Sequence, residues 1–510
     1  MAMLFNAPIF LFYFLPFTLF TGLIAHRYFG RNVFLGLLSL YSVIFYAYTE
    51  FDWVFILIFS ILFNYGLGQW IGASQDKSQK FRKRLAALGV ITNLGLLAYY
   101  KYTNFILENI DRIANTGFVT DIALPIGISF FTFQQIAYII DTYQGKTKEG
   151  SFLRYAFFIS FFPQLIAGPI VHHSEMFKQF SKGLSKRLSG NLSIGLAIFL
   201  VGLAKKVLIA DSFAGYATPI FTLADNGGAV TTLQAWQGIL AYSLQIYFDF
   251  SGYSDMAIGI GRMFGMKLPE NFNSPYKSSS ISEFWRRWHM TLSRFLRDYL
   301  YIPLGGNRKG ELRRYVNLFA TMVLGGIWHG AGWGFLIWGV LHGAFLTVNH
   351  LFNKLFNRKD NANIDKFSVN HILRPGFYLT LFCAIIAWVP FRAQTLDGLM
   401  TMWAAMAGQS EEFKAFKFDP VIWSAIIAGG ILAILAPNTQ TLFRWLFNYE
   451  IKLDLYAAAP KGQNQEAEDD NLGPIRFKAM GAIFVVIIAI AAVVGLALNN
   501  KVSEFIYFQF

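Results

Sequence analysis

The chain alternates long apolar stretches with short polar ones over most of its length. A bilayer's hydrocarbon core, about 30 Å thick, needs roughly 20 apolar residues in a helix. Stretches near that length fall at about residues 8–25, 33–49, 53–72, 86–105, 122–140, 152–172, 190–212, 233–263, 315–350, 372–392, 420–437 and 477–498. The 315–350 run is long enough for two passes, broken near Gly330–Gly334. The pattern predicts an all-α polytopic membrane protein with on the order of 11 to 13 embedded helices, some of them re-entrant. No fixed-period repeat and no second soluble domain is visible, so residues 1–510 read as a single membrane domain. No basic region precedes the first stretch and no small-residue cleavage site follows it, which marks a retained span. Residues 457–474 (AAAPKGQNQEAEDDNLGP) read as a flexible polar connector before a last span at 477–498. The aromatic end, FIYFQF, reads as interfacial.

Composition supports this reading. Hydrophobic residues make up 55% of the chain and charged residues only 14%, too few to build a water-facing surface. Phe, which hydrocarbon tolerates well, dominates the aromatics at 54 residues. The formal net charge is +13, but the Lys and Arg sit in short runs between apolar stretches. That is loop charge on the cytoplasmic side, so membrane lipid is the implied partner and nucleic acid is not. His26, Arg27 and Arg31 follow the first span, Glu50 and Asp52 the second, and Lys77–Arg84 the third. The excess at Lys77–Arg84 puts that loop in the cytoplasm and the N-terminus outside. The one cysteine, Cys383, lies in an apolar run and reads as a buried small hydrophobe.

Residues 247–314 break the lipid-like pattern by mixing aromatics, charges and glycines. Ionisable groups at membrane depth are costly and usually face a cavity or one another, so this segment is expected to fold back and line a cavity. Ser282–Tyr301 reads as one amphipathic helix capped by Ser282. Trp285, Trp288, His289, Leu292, Phe295, Leu296 and Tyr299 share a face, with Arg286, Arg287, Arg294 and Arg297 largely elsewhere and Asp298 paired to Arg294. Two readings of the arginines stand: contact with lipid headgroups, or recognition of the phosphates of an acyl donor. The second polar site is GGIWHGAGWG at residues 325–334, where His329 stands in an apolar stretch with glycines on both sides. A histidine buried in a span points toward function more than a soluble core histidine does.

The other histidines carry less. His26 and His371 lie near span ends, His172 and His173 form a loop pair, and His342 and His350 share a helix face in structural roles. No HxxxH or HExxH spacing occurs, so no metal site and no bound cofactor is expected. Phosphate-loop and hydrolase-elbow motifs are absent as well.

SEFWRRWHMTLSRFLRDYLYIPLGGNRKG and YVNLFATMVLGGIWHGAGWGFLIWGVLHG together resemble the membrane-bound O-acyltransferase (MBOAT) superfamily. Within it they resemble the branch of bacterial alginate O-acetylation membrane proteins; the branch that D-alanylates teichoic acids is similar but more distant. LPIGISFFTFQQIAYIID, FFPQLIAGPI, YFDFSGYSDMAIGIG, ENFNSPY and WVPFRA fit the same branch. The resemblance runs from residue 1 to about 395, with 120–395 the most diagnostic part.

The resemblance implies a bundle of about 11 transmembrane helices plus re-entrant helices around a central funnel. It assigns His329 as the catalytic residue and His289 as its companion. It implies transfer of an acyl group, acetyl in this branch, from a cytoplasmic thioester donor, either acetyl-CoA or an acyl carrier protein. The group would pass outward across the bacterial inner membrane to an exported polysaccharide such as alginate, reached through a periplasmic SGNH-type acetyltransferase partner. His329 could act as general base or form a transient acyl-imidazole, and both stay open. Trp285, Trp288 and Trp328 would wall a tunnel against water, and Arg286 and Arg287 would meet donor phosphate. Asp249, Tyr253, Asp255 and Asn273 are cavity polar groups, each structural before catalytic. Peptidoglycan or another glycan as acceptor, and D-alanyl transfer from a carrier protein, are the neighbouring readings. A donor transporter and a non-catalytic export platform are the readings from other classes.

Overall fold

The computed structural model describes residues 3–118, 120–147, 150–182, 188–357, 372–409, 418–447, 479–498 and 503–506. The expected connector at 457–474 and His371 lie outside them. Every regular element among the described residues is helical. Among the described residues six helices are long and apolar enough to cross a bilayer: Phe10–Phe29, Arg31–Thr49, Phe51–Ala73, Gly190–Asp225, Trp333–Leu355 and Pro375–Arg392. Pro420–Leu435 and Ile483–Ala497 are shorter apolar helices. Their outward faces are aromatic and aliphatic: Phe12, Phe17, Phe20, Ile487 and Ile490 are all more than half exposed. Exposed side chains of that kind suit lipid, so the chain is a multi-pass membrane protein.

The helix at the centre of the bundle is a different type. Thr232–Met263 opens with a reciprocal cap, Thr231 Oγ1 accepting from Gln234 N–H and Gln234 Oε1 accepting from Thr231 N–H. It is buried along almost its whole length, which is why it carries Asp249 and Asp255 where a lipid-facing helix could not. It runs against Leu188–Ala204, with Gly195 and Gly202 facing Gly259 and Gly252. A Cβ on Gly259 would sit 2.6 Å from the Gly195 carbonyl oxygen, so only paired glycines permit this approach.

Several expected elements differ. The 86–105 span is part of a 36-residue helix, Gln79–Ala114. The 152–172 stretch is no single span: Phe152–Ser160 and Phe162–Leu165 are short helices, followed by irregular chain through Gly168 and Pro169. Proline and glycine there prevent one continuous rod. The 315–350 stretch does break in two, as Glu311–His329 and Trp333–Leu355 joined by Gly330–Gly332.

The expected single helix Ser282–Tyr301 is three pieces, Ile281–Arg287, Met290–Leu296 and a wide turn Arg297–Tyr301, and its cap is Ser280 rather than Ser282. The break is at His289, whose φ is +42°. Backbone bonds from Asn273 N–H to the Arg287 carbonyl and from Met290 N–H to the Asn271 carbonyl hold the kink, so tertiary pairing overrides helical propensity. Two of this segment's four arginines turn inward. Arg287 is buried and paired with Glu283, and Arg294 is buried and paired with Glu175, while Asp298 pairs with its neighbour Arg297. Cys383 is half-buried rather than enclosed. At the C-terminal end, Phe505 and Ile506 are buried in the bundle, not interfacial. They are anchored because Lys206 pairs with Asp211 at 2.8 Å and Asp249 at 2.7 Å while donating to the Glu504 carbonyl.

Candidate active site

His329 is the last residue of its helix, 4% exposed, and stands where the chain turns back through glycines. Its ring is walled by Trp328 at 5.0 Å, Trp338 at 4.9 Å and Phe391 at 5.2 Å between ring centroids, all three edge-on. The return helix lies very close. A Cβ on Gly326 would meet the Phe335 carbonyl oxygen at 2.5 Å. That close approach brings Trp338, and His342 one turn further on, to His329.

The end of the His329 helix is held by a residue the sequence reading passed over. Lys101 Nζ donates to the carbonyls of Trp328 at 2.7 Å and His329 at 2.9 Å, and Tyr102 Oη donates to the Ile327 carbonyl at 2.8 Å. These are carbonyls that a helix terminus leaves without intrahelical partners. Lys101→Met should therefore leave His329 imprecisely aimed and slow acyl transfer on the order of a hundredfold, the cost typical of a displacement near 1 Å. Transfer assays at matched membrane levels check this, and an unchanged rate would show that the cap is dispensable.

His289 is fully buried, edge-on to Phe250 at 4.8 Å and 6.5 Å from Trp328. Its tautomer follows from its neighbours. Asn271 Oδ1 accepts from Thr291 N–H at 3.3 Å and Thr291 Oγ1 at 2.9 Å, while Asn271 Nδ2 donates to Ser254 Oγ. The group facing His289 Nδ1 at 3.0 Å is thus an oxygen, and Nδ1–H donates to it. In the neutral ring Nε2 then carries the lone pair, the form a proton acceptor needs. His289, Lys101 and His342 are neighbours of His329.

The expected site residues divide into two groups. Trp328, Trp285 and Trp288 belong to the aromatic shell: Trp285 lies 5.6 Å from Trp338, and Trp288 lies 4.7 Å from Trp388. Arg286 is half-buried beside them. Arg287, expected to meet a donor phosphate, instead spends its charge on Glu283 and also donates to the Asn273 carbonyl. Asn273 accepts from Asn438 Nδ2 through its own Oδ1, which makes it part of a loop-to-loop tie. Tyr253 stacks on Phe5 at 4.9 Å and meets Phe505. Asp255 is bound by Lys205 and Thr439 at 2.7 and 2.6 Å. It lines a polar pocket with Lys205, Ser251, Ser254 and Asn271. Asn271 forms one wall of that pocket and also orients His289, so it links the two regions. Among the described residues no cluster of His, Cys, Asp or Glu is arranged to hold a metal ion.

Besides Lys101, sequence reasoning missed Asn271 and Trp338, and read His342 as structural. An ionisable residue inside an apolar run (LLAYYKYTNF) was the available signal for Lys101. Asn271 and Trp338 offered no such signal.

His289 and His329 are both buried inside an all-helical bundle whose outward faces suit lipid. The model of the MBOAT, membrane-bound O-acyltransferase family matches residues 112–389, more than half the chain, and the chain belongs to that family. It is therefore an O-acyltransferase. It is 45% identical to a peptidoglycan O-acetyltransferase of Helicobacter pylori over 80% of each chain. It is 38% identical to a probable alginate O-acetylase AlgI of Azotobacter vinelandii over the full length of both. A teichoic acid D-alanyltransferase of Bacillus subtilis is 32% identical over 46% of this chain and 60% of its own.

Proposed function

We propose that the chain takes an acetyl group from a cytoplasmic thioester and relays it across the bacterial inner membrane for O-acetylation of an exported polysaccharide such as alginate. The observation that carries this is His329, buried at a helix end among aromatic rings, with His289 and its oriented Nε2 close by. In this reading His329 takes the proton of the acceptor hydroxyl as the new oxygen–carbon bond forms. The carbon–sulfur bond breaks, and the leaving thiolate recovers the proton. The tryptophan shell keeps water from the thioester. The donor is a thioester on the cytoplasmic side, acetyl-CoA or an acyl carrier protein thioester. No cofactor is needed. Further helices, beyond the six apolar ones, bring the bundle to about 11 spans with the N-terminus outside. A periplasmic SGNH-type acetyltransferase then places the group on the sugar. Peptidoglycan is the second reading for the acceptor, favoured by the 45% identical relative.

Membranes carrying the chain and its periplasmic partner are given acetyl-labelled coenzyme A or an acetyl-labelled carrier protein on the cytoplasmic face. Label is expected in polysaccharide on the opposite face, only when the chain is present. Thioester crossing intact, with no label transferred, would replace the enzyme with a transporter; transfer retained after loss of both His289 and His329 would leave it a platform.

A further inference from the structure

Two buried donors beside His329 have no part in the steps above. Trp338 Nε1 and His342 Nε2 have no hydrogen-bond partner among the described residues, although Trp338 is 1% and His342 0% exposed. They stand four residues apart on one helix, and so on one face, with ring centroids 4.7 Å apart. Trp338 in turn is edge-on to His329.

Which nitrogen of His342 carries the proton is fixed by a third residue. Trp285 Nε1 lies 3.3 Å from His342 Nδ1. An indole N–H can only donate, so Nδ1 supplies its lone pair. The ring is then neutral and Nε2 carries the hydrogen. Both unpartnered atoms are therefore neutral N–H groups, and burying each without an acceptor costs about 1–3 kcal/mol. Native proteins rarely leave such groups without a reason.

The geometry points to Trp338 Nε1–H and His342 Nε2–H as an oxyanion hole, receiving the carbonyl oxygen of the acyl group while His329 handles the proton. This inference rests on the acyl-transfer reading. Attack by the acceptor oxygen turns the carbonyl into a tetrahedral oxyanion. The two N–H groups bind that oxygen until the carbonyl re-forms and the thiolate leaves. They donate without themselves gaining or losing a proton. Neutral, preorganised donors in a dry site favour the charge that develops in the transition state over the uncharged ground state. Trp285 is then a positioning residue, since its indole sets the tautomer of His342.

The test uses the full-length chain in membranes with acetyl-coenzyme A as donor probe, reading kcat and KM separately. His342→Phe and Trp338→Phe keep an aromatic ring and remove the donor. Each should lower kcat about 10²–10³-fold, as loss of one oxyanion donor does elsewhere, with KM little changed. His342→Gln offers an amide oxygen to Trp285 and an N–H to the substrate. It should regain at least about tenfold in kcat over His342→Phe, a partial return of that same donor. Equal loss in His342→Gln and His342→Phe would mean packing rather than donation and would overturn the proposal. If His342→Phe fails to fold, Trp338→Phe carries the test alone. Normal kcat in both Phe variants beside an inactive His329→Ala overturns the oxyanion hole and leaves the acyl-transfer reading intact. An active His329→Ala, or a wild-type chain that does not consume this thioester, overturns the reading and the inference together.

Discussion

His329→Ala should reduce acetyl transfer at least about a thousandfold, within the range general acid–base catalysis contributes, while the protein still reaches the membrane at normal levels. The two halves of that expectation have separate causes. The helix end is held through backbone carbonyls, by Lys101 and Tyr102, and those bonds do not involve the imidazole. The aromatic walls from Trp328, Trp338 and Phe391 also remain, so the lost ring leaves a cavity in a site already framed. His289 does not replace it, because it stands on a separate kinked segment where Asn271 fixes its ring, and not at the end of the Glu311–His329 helix. Acetyl content of exported polysaccharide, compared at matched membrane protein levels, measures the loss. Normal acetylation in the variant would remove His329 from the reaction.

What the sequence revealed and what it concealed follow from range. His329 stands out because an imidazole inside an apolar span is conspicuous on its own, and His289 because the SEFWRRWH segment resembles the O-acyltransferase family. The all-helical membrane class was legible for the same local reason, as was the break after His329, where glycines cluster. The kink at His289 was not. Local periodicity favours one helix through 282–301, and the bonds that break it come from Asn271 and Asn273. Arg287 and Arg294 looked like exposed basic positions until folding supplied Glu283 and Glu175. Lys101 acts on carbonyls more than two hundred residues away. His342 was grouped with His350, one helical face apart, yet their partners differ: His350 meets Arg314, and His342 meets Trp285 and Trp338. Asp249 read as a cavity polar group, but its partners Lys206 and the Ile506 backbone N–H are remote in sequence.

That last cluster carries the largest expected effect on stability. Lys206 is 2% exposed and bridges Asp249 and Asp211, while Asp249 also accepts from Ile506 N–H and Asp211 from Ser503 Oγ. Lys206→Met keeps most of the side-chain volume but leaves two carboxylates facing each other without a counter-charge. Removing one partner of a buried ion pair typically costs about 3–5 kcal/mol, and the residue left behind, not the missing attraction, accounts for most of it. Thermal unfolding of the detergent-purified variant should shift down sharply. Backbone amides at 503–506 should lose their protection from hydrogen exchange as well, because the carboxylates that hold them would reorient toward water. Adding Asp249→Asn should restore much of the loss: the amide oxygen still accepts from Ile506 N–H, and the uncompensated charge is gone. If Lys206→Met unfolds like the wild type, lipid or water already neutralises the cluster, and the C-terminal segment is held by the packing of Phe505 and Ile506 instead.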